Sequence, residues 1–283
     1  MSAVSELRPS PIAGMWYEGR PKQLADEVDE YLDKAALPEL DGEVIGVITP
    51  HAGHRYSGNV AGHAFAAIRR QSFELVTVIA PMHHPYAAPL ITTAHAAYAT
   101  PLGPLPVDRQ AIQMLDEALR PRLGFGLTAV ANDPEHSLEI ELPFLQRALT
   151  GDFKLLPVMV RAQEASISRA LGEALAGALK GRKTLLVAST DLSHFYPQTT
   201  ARKLDEEMLQ RIESFAPEQI FAAEDEGKGF ACGHAAVAAV LWAALAMGAD
   251  HITRLAYATS GDVTGDLSSV VGYGALAILK RKK

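Results

Sequence analysis

Short apolar runs rich in β-branched residues alternate along this chain with segments whose apolar residues recur at helical spacing. That alternation restricts the fold more than any other feature of the sequence. Val44–Ile48, Leu75–Ala80, Phe153–Val160 and Thr184–Ser189 read as buried strands, since near-continuous apolar runs are what a sheet covered on both faces requires. Pro21–Ala35 reads as the first helix, with Leu24, Val28, Tyr31 and Leu32 on one face and Pro21 in the first turn. Ser57–Arg69 is the predicted crossover helix between the first two strands. Ala165–Leu179 carries an apolar stripe of Ile167, Leu171, Ala174, Leu175 and Ala178. Further helices are expected at Arg109–Leu119, Leu138–Leu149, Ala201–Ser214 and Gly233–Met247. The runs Ile252–Thr259 and Ser268–Leu279 read as an antiparallel closing pair. The pattern predicts an α/β fold, three layers α/β/α around a central mixed, largely parallel sheet. No repeat, low-complexity tract or linker divides it, so residues 1–283 are expected to form one domain.

Composition narrows the function. A formal charge of -7 over 283 residues, with no basic run before Lys280-Arg281-Lys282-Lys283, excludes a surface built for nucleic acid or an anionic membrane. No run reaches the length of a membrane span, and the first residues lack a signal-peptide core, so a cytoplasmic protein is expected. The single cysteine, Cys232, excludes an internal disulfide.

The polar residues fall at a particular place in this plan. Val44–Ile48 runs into Pro50-His51-Ala52-Gly53. Leu75–Ala80 runs into Pro81-Met82-His83-His84. Thr184–Ser189 runs into Thr190-Asp191-Leu192-Ser193-His194. The carboxyl ends of parallel strands share one edge of a sheet, so His51, His83 or His84, Asp191 and His194 are expected to share one pocket. Cys232 stands just before the helix expected at Gly233–Met247, where the positive end of the helix dipole favours a thiolate. Two imidazoles with one anionic group suit a mononuclear transition-metal site with open positions, His51 and His83 giving nitrogen and Cys232 the anion. Asp191 and His194 suit a proton shuttle and the carboxylate beside it.

Each of these residues has a plainer reading. A histidine after a strand is commonly a hydrogen-bonded structural residue, a cysteine a small buried hydrophobe, and an aspartate an N-cap. Of His83 and His84, one side chain points inward and the other away. Glu135-His136-Ser137-Leu138-Glu139 has capping-box character through Ser137 and is read as helix initiation. Gly53 is expected to let the chain turn before a helix start at Ser57-Gly58. His54, His63, His95, His234 and His251 carry weaker cases, His234 as a residue of the pocket rim.

P-H-A-G-H-R-Y-S-G, A-P-M-H-H, T-P-L-G-P-L-P-V-D, E-H-S-L-E-I-E-L-P-F-L, S-T-D-L-S-H-F and A-C-G-H occur in the order seen in the Memo family, whose prokaryotic members are called AmmeMemoRadiSam system protein B. P-I-A-G-M-W-Y and S-S-V-V-G-Y-G-A-L resemble that family as well, and the resemblance runs from about residue 8 to residue 279. It implies a fold similar to the LigB-like class III extradiol dioxygenases, in which two histidines and a glutamate hold iron(II). It implies metal ligands His51, His83 and Cys232, with Cys232 in the glutamate's place, His194 as the catalytic base and Asp191 as the acidic residue beside it. It also implies iron(II) or copper as cofactor, with zinc as a further candidate because a thiolate is softer than a carboxylate. A functional link to radical-SAM and AMMECR-like proteins is implied by the family name.

Three functions compete at this point. One is a metal-dependent, oxygen-linked oxidoreductase acting on a small molecule. Another is a non-enzymatic scaffold or carrier that binds a metal or a peptide. The third is metal-free chemistry with Cys232 as nucleophile and His51 or His194 as its base.

Overall fold

The computed structural model describes residues 5–281. Strand β1 (Leu7–Arg8) leads into helix α1 (Pro21–Lys34), strand β2 (Glu43–Thr49), helix α2 (His54–Ala66) and strand β3 (Leu75–Pro81). Strands β4 (Leu90–Thr93), β5 (Ala97–Tyr98) and β6 (Leu105–Pro106) precede α3 (Arg109–Leu123) and β7 (Thr128–Val130). A 3-10 turn at Glu139–Glu141 runs into α4 (Leu142–Ala148), followed by β8 (Lys154–Val160), α5 (Ala165–Ala178), β9 (Thr184–Ser189) and β10 (His194–Tyr196). The chain continues through α6 (Gln198–Glu213), α7 (Glu218–Asp225), α8 (His234–Ala246), β11 (His251–Thr259), α9 (Ser260–Thr264) and β12 (Val270–Lys280).

The main sheet runs β10-β12-β2-β9-β3-β8-β4-β7, with β11 paired to β12. Its centre is parallel, through the pairs β2 with β9, β9 with β3, and β3 with β8. Antiparallel pairs flank it, β12 with β2 and β11 on one side and β4 with β8 on the other, beyond which β7 runs parallel to β4. This is the predicted α/β fold with a mixed, largely parallel sheet.

Alternation along the central strands divides the core in two. Leu186 and Ala188 of β9, with Leu75 and Ile79 of β3, pack against α3, α5, α6, α7 and α8. Leu185 and Val187, with Val76 and Val78, pack against α1, α2 and α4 on the opposite face. Helix α8 is buried along its length from Ala235 to Ala244, which explains why its sequence is apolar all round. Gly172 lets α5 approach it, since a Cβ there would lie 2.5 Å from the Ala239 carbonyl oxygen and 2.6 Å from Trp242 Cβ. Gly172→Val is therefore expected to destabilise the fold by about 1–3 kcal/mol through overpacking. Urea unfolding checks this; a variant as stable as the parent would show that the two helices separate without cost.

Two features of this topology position the site. The β2–α2–β3 crossover skips one strand position, and β9 fills it, so β2, β9 and β3 are neighbours with their carboxyl ends side by side. Helix α2 also begins three residues earlier than its periodicity predicts. Gly53, at φ -54°, makes no left-handed turn, and the His54 N–H donates to the Trp16 carbonyl at 2.9 Å. A distant segment thus satisfies a first-turn donor, which local sequence does not reveal. The helix expected over Leu138–Leu149 divides into the 3-10 turn and α4, with Pro143 in the first turn of α4. Helix α3 continues through Pro121, where the lost N–H falls in the last turn, and ends on Gly124 in the left-handed conformation. No helix among the described residues is long and apolar enough to cross a membrane.

Candidate metal centre

His51, His83 and His136 come together where the strands β2 and β3 end, each offering a ring nitrogen, with the three atoms all within 4.8 Å of one another. The rings of His83 and His136 stack at 4.8 Å between centroids, and His51 meets both edge-on at 5.2 and 5.5 Å. Trp16 covers His136 at 4.1 Å.

Each outer nitrogen of the first two rings is held by a partner that fixes its tautomer. His51 Nδ1 lies 2.9 Å from Ser189 Oγ, and His83 Nδ1 lies 2.9 Å from Glu135 Oε1. With the Nδ1 protons donated there, the lone pairs are on the Nε2 atoms, that of His51 facing Cys232 Sγ at 3.2 Å. The Glu135 carboxylate also accepts the backbone N–H groups of His83, His136 and Ser137. Burial opposes its charge, but the hydrogen bond and charge of His83, the Ser137 N–H and His136 prevail and hold it ionised well below the usual carboxylate range. Burial pushes His136 down to about 4, although the charge of Glu135 opposes the shift. Burial, reinforced by His136 and His83, lowers His51 well below the ordinary histidine value. His51 and His136 are thus neutral donors at pH 7, the form a metal ion needs.

The structure places the remaining predicted residues around this cluster. Cys232 Sγ lies 3.2 Å from His51 Nε2 and accepts the Asp191 N–H at 3.3 Å. Gly233 seats the start of α8 against β9, because a Cβ there would lie 2.4 Å from the Ser189 carbonyl oxygen. Burial and the neighbouring Asp191 push the Cys232 thiol far above its ordinary value, which outweighs the helix-dipole effect expected from its position. Asp191 does not orient His194. Its carboxylate accepts the His51 backbone N–H at 2.8 Å, and burial pushes it up to about 7 against the hydrogen bonds of His51 and Ala52. His194 Nδ1 donates to the Leu192 carbonyl at 2.8 Å, and burial lowers its pKa.

His136, Glu135 and Trp16 were not among the predicted site residues. Ser137 caps no helix; its hydroxyl donates to the Pro81 carbonyl at 2.7 Å and ties the E-H-S loop to the end of β3. A carboxylate followed by an imidazole in the loop D-P-E-H-S was the available signal. His54 and His95 prove structural, His54 against Glu27 and the Ile140 carbonyl, His95 clipped between the Ser5 carbonyl and the Asn132 N–H.

The cluster forms one wall of a cavity of about 620 Å³ that Asp191 and His194 also line. Its other walls are largely apolar and aromatic, including Trp16, Tyr56, Phe195 and Tyr273. A pocket of this size with a few convergent polar groups suits a small-molecule ligand. The donor set fits a metal ion, since three imidazoles face one another, His51 and His83 with Nδ1 committed to protein partners and His51 and His136 kept neutral by burial.

The model of the Memo-like protein family matches residues 8–277. The chain belongs to the Memo family. Over 96% of its length it is 32% identical to a MEMO1 family protein of Nitrosopumilus maritimus, and 34% identical to one of Methanococcoides burtonii, covering the whole of each. Among solved structures it is similar to an uncharacterized protein of Escherichia coli K12, with a TM-score of 0.53 at 15% identity over 83% of this chain and 99% of that one. That likeness concerns the fold alone. Within this Memo chain the ordered motifs are the loops that carry His51, His83, His136, Asp191, His194 and Cys232.

Proposed function

We propose that this Memo protein is a mononuclear metal-binding protein that carries out metal-dependent redox or oxygen-linked chemistry on a small molecule held in the main cavity. The observation that carries this reading is the convergence of a ring nitrogen from each of His51, His83 and His136 on a cavity lined by a further basic residue. Iron(II) or copper suits the donor set, and zinc is accommodated by the same nitrogens. When bound, the ion would supply Lewis-acid and redox chemistry at the cavity wall. His51, His83 and His136 would hold it, with Cys232 adjoining through His51.

The chain's own residues do the rest. His194, with Nδ1–H committed to the Leu192 carbonyl, presents Nε2 as the basic atom that accepts a proton from the ligand. Asp191 fixes the His51 backbone, and Glu135 fixes both the His83 ring and the loop that carries His136. Trp16, Phe195 and Tyr273 give the cavity aromatic surface against which the ligand can rest.

Metal analysis of protein purified without added metal tests the reading. One bound equivalent is expected, lost in His51→Ala, His83→Ala and His136→Ala; an unchanged content in the pair His51→Ala with Cys232→Ser would sink it. Retention of metal in Cys232→Ser alone would make the third ligand His136 rather than the thiolate.

A second reading, a binding protein without turnover, draws on the exposed apolar rim of the cavity. Met15 and Phe195 are each 74% exposed, more than a closed catalytic pocket requires. Oxygen uptake with reduced metal and a panel of catechols separates the two, and uptake abolished by His194→Ala would overturn the binding-only reading.

A further inference from the structure

Two buried glutamates follow His136, and they are held in opposite ways. Glu139 is surrounded by the cation and hydroxyls of Arg8, Ser10 and Tyr17. Glu141 is equally buried, but its hydrogen-bond partners are hydroxyls alone. Ser189 Oγ lies 2.8 Å from Oε1, and Thr49 Oγ1 lies 3.3 Å from Oε2. Among the described residues no Lys, Arg or His forms an ion pair with it. A carboxyl closed off from water without a cation is held as the neutral acid. Burial drives Glu141 well above the usual carboxylate range, hydrogen bonds from Ser189 and Thr49 oppose this, and the charge of Asp191 reinforces it.

Ser189 links this acid to the imidazole cluster. Its hydroxyl oxygen stands 2.8 Å from Glu141 Oε1, 2.9 Å from His51 Nδ1 and 2.7 Å from the Ser137 carbonyl oxygen. One hydroxyl proton serves one acceptor. With Glu141 protonated, the acid O–H and the His51 Nδ1–H both donate to Ser189, whose own proton goes to the Ser137 carbonyl. All three contacts are then satisfied, and His51 Nε2 is left as a lone pair.

We infer that Glu141 is the proton store of this site, holding a proton in the metal-free protein and releasing it when a divalent cation binds at His51. One O–H bond breaks at Glu141, one proton passes to solvent, and no electron moves. The Ser189 hydroxyl turns from the Ser137 carbonyl to the new carboxylate, and His51 Nδ1 continues to donate to Ser189. A group that ligates nothing thereby offsets one unit of the incoming charge, and the resulting carboxylate–hydroxyl–imidazole chain strengthens His51 as a donor. This inference rests on the proposed cation binding by the cluster.

Infrared difference spectroscopy with zinc as the probe tests it. The metal-free protein should show a protonated-carboxyl C=O band that shifts on carbon-13 labelling of glutamate but not of aspartate, and that disappears when zinc is added. Glu141→Gln should lack the band. Zinc titration calorimetry in buffers of different ionisation enthalpy should show that this variant releases about one proton fewer than the parent. Equal proton release, or a glutamate band that persists with zinc bound, overturns the proposal and leaves the metal reading intact. A parent protein that shows the band but binds no zinc overturns the metal reading, and the proposal with it. The labelling experiment uses the unsubstituted protein and separates glutamate from aspartate, and Glu139→Gln, which should keep the band, assigns it to Glu141 even where Glu141→Gln does not fold; a band lost in Glu139→Gln overturns the proposal.

Discussion

Arg8→Met is expected to destabilise the protein by about 3–5 kcal/mol, the range found when one partner of a buried ion pair is removed. Arg8 is 1% exposed. Its guanidinium makes a two-point contact with Asp133, Nε at 3.0 Å and Nη2 at 2.8 Å, and reaches Glu139 through Nη1. Nη2 also donates to the Asp133 and Glu135 carbonyls, and the group lies over the Tyr98 ring at 4.9 Å. Methionine preserves the apolar stem but strands two carboxylates away from water, so the loss exceeds that of the hydrogen bonds themselves. Because Glu135 is also the group that holds His83, the same substitution is expected to loosen metal binding. Urea unfolding beside the exposed neighbour Leu7→Ala, expected within about 0.5 kcal/mol of the parent, measures the effect. A change below about 1 kcal/mol for Arg8→Met would mean that water reaches the two carboxylates.

The contrast between Arg8 and the strand-end histidines shows what the sequence makes legible. Apolar runs ending in Pro-His and Thr-Asp place His51, His83 and Asp191 because a strand commits every residue in it to a direction. The same logic supplies the layers and the mixed sheet. It does not say that β9 inserts between β2 and β3, yet that insertion is what puts the three loops beside one another. Arg8 lies in a two-residue strand, and its partners are more than 120 residues away. No local pattern marks it. His136 was obscured for a different reason: S-L-E imitates a capping box, while the serine and the preceding glutamate are engaged with β3 and the His83 loop. Local chemistry has more than one use for the same residues, and tertiary contacts decide which applies. The pairing of Asp191 with His194, inferred from their spacing, failed similarly, because the carboxylate meets the backbone of β2's loop across the sheet edge.

Asp191→Asn is expected to change the pH dependence of stability in the metal-free protein, and the sign follows from where the group titrates. Its carboxyl is buried and raised to about 7 in the fold, against about 3.9 in an unfolded chain. The protonated form is therefore favoured by folding. That contribution is fully present below about pH 4 and is lost as pH rises to 7, amounting to roughly 4 kcal/mol. His136 works in the other direction. Lowered to about 4 in the fold, it removes on the order of 3 kcal/mol as pH falls from about 6.5 to 4, since only the unfolded chain protonates freely there. In the parent the two largely cancel over that interval. Asparagine keeps an oxygen for the His51 N–H but carries no charge, so the variant should gain on the parent as pH rises toward 8. It should also lose stability on acidification that the parent does not lose. Urea midpoints from pH 4.5 to 8 in the presence of a chelator provide the comparison, and parallel profiles for the two proteins would show that Asp191 ionises freely in the fold. The cost of the Asp191 charge above pH 7 is the part that a cation at the neighbouring His51 relieves. Zinc should therefore raise the stability of the parent at pH 8 by more than it raises that of Asp191→Asn.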